Sequence, residues 1–543
     1  MVRILVLGIL VALSDPAAAQ EHEHGAAPVE KLGTVHVQTS CNAAAQPVVD
    51  RAVALLHSFD FSRAIEGFTA ALKADTSCSM ANWGIALSRW GNPFAAGQKP
   101  SAQIQQGRDA IERAMATPAK TDRERQYVDA ASLLYADIER APQNVRVRAY
   151  RDAMAALAAR YPNDDEAAAF YALSLAVAAD PADKTYANQR KGGAILEKLF
   201  AKHPDLPGLA HYISHTYDVP PLADRALEAA RRYAKIAPSA PHALHMPSHT
   251  FTRVGYWQES IETNIASAAS AKREGATAEE LHATDYQTYA YLQTAQDRAV
   301  GRLIDSLTEI ASRFNPSAVG AGAGPSAAFF ALAAIPARYA LERGAWADAV
   351  KLEPRPSPFP YTEGMTYFAR ALGAAHLGQT APVREAIDAL LQIRDRLTQA
   401  GESYWAEQVE IQRRVASAWL ALVEGRKDDA IAEMRVAAQR EDATEKNAVT
   451  PGPLAPAREL LGEILLQVKE PALALKEFET TLRKEPNRFR ALAGAAKAAT
   501  AMGDRATARK SYEQLLKICA RADKPARPEL IEARKAVTPN VAR

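Results

Sequence analysis

Two pairs of histidines recur within one short stretch of the sequence. Residues 211–257 hold five of the chain's 12 histidines, and the pairs His211/His215 and His245/His249 each span four positions. Side chains four positions apart lie on one face of a helix, so each pair would present two imidazoles side by side. Imidazole is the commonest metal-ligating side chain, and such pairs can offer two nitrogens to one ion. The spacing therefore makes these four histidines candidate ligands of a transition metal.

Other polar residues follow at compatible positions. Asp218 and Arg253 come shortly after the two pairs, and the segment ELHATDYQTYAYLQ places His282, Asp285 and Tyr286 at helical spacing. Four imidazoles together with the Asp218 carboxylate could hold Zn, Cu or Fe. A metal-bound histidine also needs a neighbouring group that fixes its tautomer, and the Asp285 carboxylate is available for that purpose.

The two histidine pairs are offset by 34 residues, which is the period of a known helical repeat. Two segments near the C-terminus align at the same interval. The aligned positions are Gly462 with Ala496, Ala474 with Ala508, and Phe478 with Tyr512. Small residues let two helices pack closely, the aromatic residue fills the gap to the next pair, and Pro486 follows the second helix, where proline ends a helix at little cost. This pattern resembles the tetratricopeptide repeat, as found in bacterial secreted proteins.

The resemblance covers most of residues 46–520 and implies an all-α fold, a right-handed superhelical solenoid of tetratricopeptide-type helical hairpins. It also implies that the fifth, ninth, twelfth and thirteenth places of each first helix face a concave groove. The two histidine pairs take the fifth and ninth places, Asp218 takes the twelfth and Arg253 the thirteenth. We therefore expect the paired imidazoles to converge in the groove, with His242 closing the set from the rim and His282 approaching from the next helix.

Interruptions of the repeat pattern predict the domain organisation. The segment NPSAVGAGAGPSA lacks the Lys-Ser/Thr ending of a phosphate-binding loop, so we interpret it as a flexible connector. The predicted segments are a signal peptide (1–19), a flexible leader (20–45), an N-terminal array (46–312), the Gly/Ala/Pro loop (313–327), a C-terminal array (328–520) and a tail (521–543).

The first residues and the cysteines indicate an exported protein. MVRILVLGILVALSDPAAAQ has a positive start, a short apolar run and an Ala-x-Ala site, which is typical of a secretory signal. We therefore expect a periplasmic or secreted protein, and no later apolar run is long enough to span a bilayer. In an oxidising compartment Cys41 and Cys78 could form a disulfide bond, and the alternative is that all three cysteines are free and buried.

Composition and motifs narrow the function. The net charge of +2 provides no basic excess for binding nucleic acid, and no Ser-His-Asp, Cys-His or paired-carboxylate signature gives specific support for an enzyme. The resemblance implies a scaffold that binds a protein, a peptide or a small polar ligand in the histidine-lined groove. The alternative is a metal-binding protein or metalloenzyme that uses the same histidines with a transition metal ion. A third interpretation is that the histidines only satisfy one another and buried carbonyls.

Overall fold

Every regular element of the described chain is helical. The computed structural model describes residues 30–95, 100–117 and 119–538, and within them the chain forms α-helices and one 3-10 helix but no strand. The predicted all-α fold class is confirmed. The predicted signal peptide, residues 1–19, lies outside the described residues.

The helices follow one another with short connections. The first fifteen are α1 (Gln46–His57), α2 (Phe61–Ala74), α3 (Ser79–Trp90), α4 (Ser101–Ala116), α5 (Asp122–Ser132), α6 (Gln143–Arg160), α7 (Asp165–Val177), α8 (Ala187–Lys202), α9 (Pro207–Thr216), α10 (Leu227–Ile236), α11 (Pro241–His245), α12 (Pro247–Arg253), α13 (Trp257–Arg273), α14 (Thr277–Gln293) and α15 (Asp297–Ser312), with the 3-10 helix at Ala223–Ala226. The remainder are α16 (Pro325–Glu342), α17 (Trp346–Val350), α18 (Pro360–His376), α19 (Thr380–Gln399), α20 (Ser403–Val423), α21 (Lys427–Ala443), α22 (Ala457–Gln467), α23 (Pro471–Lys484), α24 (Phe489–Ala501), α25 (Arg505–Ile518) and α26 (Pro528–Val537).

Consecutive helices pack against one another along the chain, and short connections between packed helices are typical of helical hairpins. Small residues permit close crossings in the last hairpins. A Cβ atom added to Gly462 would lie 2.8 Å from the Phe478 ring, and one added to Gly494 would lie 2.4 Å from the same ring. Phe478 is completely buried, so its ring fills the space between α22, α23 and α24. The helices therefore interlock through glycine and a single aromatic side chain.

The two predicted arrays contact each other directly. The indole Nε1 of Trp257 donates to the backbone oxygen of Asn487 at 2.8 Å, and the Arg488 guanidinium donates to the Tyr289 hydroxyl at 2.9 Å. These contacts bring α13 and α14 against the start of α24. The histidine-rich helices consequently lie inside the molecule, with C-terminal segments packed around them.

The described parts of the predicted leader, of the Gly/Ala/Pro loop and of the predicted tail pack against the helices. In residues 30–45, the side chains of Leu32 and Val37 are buried. The Gly/Ala/Pro loop is held by the Asn92 side-chain amide, which donates to the Gly322 oxygen at 2.8 Å. The predicted tail contains α26, which packs on α25.

The cysteines fall into one bonded pair and one free thiol. Cys41 and Cys78 form a disulfide bond, with Cα atoms 4.8 Å apart, which ties the segment before α1 to the start of α3. Cys519 is free and buried. In the part of the chain that the structure describes, no helix has the length and apolar character needed to cross a membrane.

Candidate metal centre

Six histidines gather in the interior in two groups of three. The first group is His211, His215 and His242, and the second is His245, His249 and His282. Within each group, one ring nitrogen per residue lies within 4.8 Å of the other two, and none of the six residues is more than 7% exposed. Nitrogens that share an ion at about 2.0–2.1 Å lie about 3–4 Å apart. The nitrogens of each group would therefore have to approach one another by at most about 1–2 Å to share an ion.

The first group is built by α9 and α11. His211 and His215 lie one turn apart on α9, and His242 comes from the first turn of α11. The Nδ1 atom of His211 donates to the backbone oxygen of His57 at 2.6 Å, and the Nδ1 atom of His242 donates to Glu279 Oε1 at 2.9 Å. The Nε2 atoms of all three group members are buried and have no hydrogen-bond partner among the described residues. The Nε2 atoms of His211 and His242 therefore carry lone pairs, because Nδ1 holds the proton in each of these two rings.

In the second group, hydrogen bonds determine which ring nitrogen carries the proton in His245 and in His249. Asn264 turns its oxygen toward the ring because its amide donates to the Ser260 oxygen at 2.6 Å, so His245 Nδ1 must donate to Asn264 Oδ1 at 2.7 Å. His249 Nδ1 donates to Asp218 Oδ2 at 3.0 Å. Both Nε2 atoms are then unprotonated, and they face each other at 3.0 Å. Two lone pairs this close repel each other unless a cation lies beside them.

The helix that carries the second histidine pair is interrupted between His245 and His249. Pro247 lacks a backbone N–H, and this part of the chain forms two short helices, α11 and α12, separated by Met246. His242 and His245 lie three residues apart on α11 but join different groups. The four predicted ligands therefore do not share one centre, because each pair of the 34-residue repeat takes its third imidazole from elsewhere.

The two groups adjoin each other. The ring centroids of His215 and His249 are 5.8 Å apart, and those of His242 and His245 are also 5.8 Å apart. Two ions bound by these groups would be neighbours, as in the two-metal sites of many metalloproteins.

Burial keeps the imidazoles in the form that binds metal. Burial, with further effects from neighbouring charged groups, lowers the pKa of five of the six histidines. Four of them have a pKa well below the usual value, namely His211, His215, His245 and His282, and that of His249 is lowered to about 4. A neutral imidazole has a free nitrogen lone pair, whereas a protonated one does not. The groups are consequently ready for a cation at neutral pH.

Asp218 and Arg253 lie behind the second group rather than in it. Besides His249, the Asp218 carboxylate accepts from Arg253 Nε at 2.7 Å and from Lys446 Nζ at 2.7 Å. Burial would raise the pKa of Asp218, but Lys446 and Arg253 outweigh that effect and hold the pKa well below its usual range. The carboxylate stays charged and fixes the proton on His249 Nδ1, which is the outer arrangement common around metal-bound histidine.

Asp285 and Tyr286 have different surroundings from one another. Asp285 accepts from the Arg338 guanidinium at 3.1 Å, and burial raises the pKa of this carboxyl to about 6. This hydrogen bond joins Asp285 to α16, so the carboxylate does not fix a histidine tautomer as predicted. The Tyr286 ring packs 4.8 Å from the His245 ring and 4.7 Å from the His249 ring, centroid to centroid. It therefore forms a wall of the second group.

Several residues of the site were missed by the sequence prediction. Glu279 lies three residues before His282 on α14, and that spacing could have indicated a shared face. Lys446 lies in the loop between α21 and α22, and Gly322 lies in the supposed flexible connector. A Cβ atom on Gly322 would stand 2.3 Å from the His242 ring, so this loop closes directly over the first group. Neither residue has a local signal in the sequence.

The histidines border a cavity that leads outward. His215, His242, His249 and His282 line a cavity together with aromatic and small side chains. Members of both histidine groups therefore border the same space.

Comparison with known proteins gives no functional assignment. No protein-family model matches the sequence, and no curated protein matches it. Solved structures with a similar course include a tetratricopeptide repeat protein from Parabacteroides merdae (12% identity, 55% of this chain and 98% of that one, TM-score 0.29) and a human IFIT1 dimer with m7Gppp-AAAA (11% identity, 89% and 96%, TM-score 0.36). The P58(IPK) TPR domain is a third (14% identity, 70% and 100%, TM-score 0.21). Likeness at this level carries no inference about ligands.

Proposed function

We propose that this protein binds two transition-metal ions in two adjacent three-histidine sites. The observation that carries the proposal is the 3.0 Å approach of His245 Nε2 and His249 Nε2, whose rings both use Nδ1 to donate elsewhere. A cation beside these two atoms, at about 2.0–2.1 Å from each, would turn the repulsive contact into shared coordination. The first group adds three more buried Nε2 atoms with no partner among the described residues.

The ligand set favours copper or zinc. All six candidate ligands are imidazoles, and imidazole suits Cu and Zn, whereas Ca and Mg prefer oxygen. Three protein ligands leave a coordination position for another molecule, as in catalytic zinc sites. When bound, such an ion supplies a Lewis acid or a polarised water. The residues of this chain orient the imidazoles through Asp218, Glu279 and Asn264 and exclude bulk solvent by burial.

The interpretation as a purely structural network fits these contacts less well. In such a network each ring would donate through one nitrogen and accept through the other. Here Nδ1 of His211 and of His242 donates, but their Nε2 atoms lie buried with no hydrogen-bond partner among the residues that the structure describes. Leaving a buried polar atom unpaired costs roughly 1–3 kcal/mol, so several such atoms at one point favour an ion-binding role.

Metal counting tests the proposal. Protein stripped of metal and reloaded with copper(I) or zinc should retain two ions per chain after gel filtration. A His215→Gln/His242→Gln variant should retain one ion, and so should a His249→Gln/His282→Gln variant. The control is His203→Gln, since His203 lies outside both groups and pairs with a surface carboxylate. Fewer than one ion on the wild-type protein, or equal metal content in folded variants, would refute the proposal.

A second candidate function is peptide binding in the cleft between the arrays. Both halves of the chain line this cleft, with Arg253 and Trp257 on one side and Gln408 and Lys484 on the other. Polar side chains beside aromatic ones suit the backbone of an extended peptide. Peptide-array binding should weaken in a Gln408→Ala/Lys484→Ala variant, and equal binding would exclude this cleft.

We also propose that the protein is exported, on the strength of residues 1–19. Protein recovered from the periplasm or medium should begin after Ala19 when its N-terminus is sequenced. Recovery in the cytoplasm with Met1 intact would count against export.

A further inference from the structure

The cavity beside the two histidine groups has aromatic walls. The Trp405 and Tyr361 rings stack with centroids 3.8 Å apart and an interplanar angle of 10°. Both residues line the cavity together with the histidines and Phe94. The Phe94 ring stacks on His215 at 4.2 Å. A guest in this cavity would therefore border aromatic side chains and a candidate metal ligand at the same time.

The described residues around this cavity include no charged side chain other than the histidines. Apart from the histidines, the described residues that line it are aromatic, small or neutral polar side chains, such as Asn92, Ala323, Asn447 and Val449. Transferring a charged guest into such a space would be costly without an opposite charge. This lining favours a flat molecule that is neutral where it passes the aromatic walls, and a bound cation at the histidines would supply the opposite charge for an oxygen that ionises there.

An outer cleft continues this aromatic path toward the surface. It shares Tyr361, Trp405 and residues 322–324 with the inner cavity. Its other aromatic residues include Phe329 and Phe359. Aromatic faces therefore line the route from the surface to the histidines, and aromatic guests gain stacking contacts along it.

We propose that this route admits a phenol, whose ring lies against Trp405 and Tyr361 and whose oxygen takes the open position on the metal pair. This inference rests on the proposed function, because the oxygen needs a bound ion to ligate. A phenol meets both requirements: it is neutral and planar while it enters, and beside a metal ion its hydroxyl gains acidity and becomes a ligand. The chemistry is shared by free phenols and by a tyrosine side chain of a peptide.

A coloured phenol provides the test. 4-Nitrocatechol absorbs visible light, and its spectrum shifts when its oxygens coordinate a metal. Protein loaded with two copper or zinc ions should shift the spectrum in a saturable way, and metal-free protein should not. Metal content is measured again after the titration by gel filtration, so that extraction of the metal by the probe is detected. A loaded protein that leaves the spectrum unchanged would overturn the inference while the metal proposal stands. A chain that binds no metal would overturn both.

Variants of the aromatic wall test the route itself. Trp405→Leu should raise the dissociation constant for 4-nitrocatechol at least tenfold without changing the metal count, because the stacking face is lost. Phe94→Leu is a second variant on the opposite wall, in case Trp405→Leu does not fold. The control is Trp346→Leu, since Trp346 stacks on His376 away from this cavity. Unchanged affinity in both wall variants would overturn the inference.

Competition separates the two sources of the phenol. p-Cresol represents a free phenol, and a tyrosine-centred pentapeptide represents a side chain presented by a peptide. Displacement of 4-nitrocatechol by p-cresol alone assigns the site to small phenols, and displacement by the pentapeptide alone or more strongly assigns it to a peptide. If neither displaces the probe, the binding is not phenol recognition and the inference fails.

Discussion

Gly322 provides the sharpest test of how the first histidine group is enclosed. This residue lies in the Gly/Ala/Pro loop, and a Cβ atom there would meet the Cε1 and Nδ1 atoms of His242 at 2.3 Å. The ring cannot turn away freely because its Nδ1 donates to Glu279 at 2.9 Å. The loop is also held, since Ala323 N donates to the other Glu279 oxygen at 2.8 Å. A Gly322→Ala substitution therefore forces one of two anchored parts to move.

The size of the effect follows from these distances. Ordinary contacts between carbon atoms are about 3.5–4.0 Å. The new Cβ atom and the His242 ring must therefore move apart by roughly 1.2 Å. The residues of a catalytic or binding site tolerate displacements of only about 0.5 Å from their working positions. We expect the metal affinity of the first group to fall about 10- to 100-fold, as when an outer partner of a metal-bound histidine is lost. Overpacking should also destabilise the fold by about 1–3 kcal/mol.

Gly320→Ala is the matched control. It lies in the same loop, but a Cβ atom there has no neighbour within 4 Å among the described residues. Zinc titration by calorimetry should show one weakened site in Gly322→Ala and two unchanged sites in Gly320→Ala, and thermal unfolding should show a lower midpoint only for Gly322→Ala. If both variants bind two ions as tightly as the wild-type protein, the loop does not support His242 and the reasoning is wrong.

Three further outcomes are expected elsewhere in the fold. Replacing both Cys41 and Cys78 by serine should lower the free energy of unfolding by about 2–4 kcal/mol, because the bond closes a loop across a sequence separation of 37; a peptide map of unreduced protein should show the linked pair. Gly462→Leu should destabilise by about 1–3 kcal/mol, since the Phe478 ring occupies the space the side chain needs; an unchanged midpoint in urea would contradict this packing. Burial raises the pKa of Glu441 from 4.5 to about 7, so the folded chain keeps a proton that the unfolded chain releases between these values. Stability should then fall as the pH rises through this window, by up to about 3 kcal/mol, and Glu441→Gln should raise the unfolding midpoint at pH 8 but not at pH 4.5.

The sequence was sufficient for features set by local periodicity. A 34-residue recurrence of small residues, aromatics and prolines predicted an all-α chain of packed hairpins. A spacing of four predicted that His211 and His215 would share a helix face, and both lie on α9. These predictions succeed because helix geometry fixes which side chains within a few turns are neighbours.

Only the tertiary structure determines that the six histidines form two groups of three. Lys446 reaches Asp218 across 228 residues of sequence, and Gly322 reaches His242 across a segment that the sequence marks as a connector. No local pattern encodes such contacts, because they depend on how the arrays close on each other. The same holds for the third ligand of each group, since His242 and His282 complete triads only when α11 and α14 pack beside α9 and α12. Periodicity can place an imidazole on a face, but the neighbour that this face meets is determined by long-range packing.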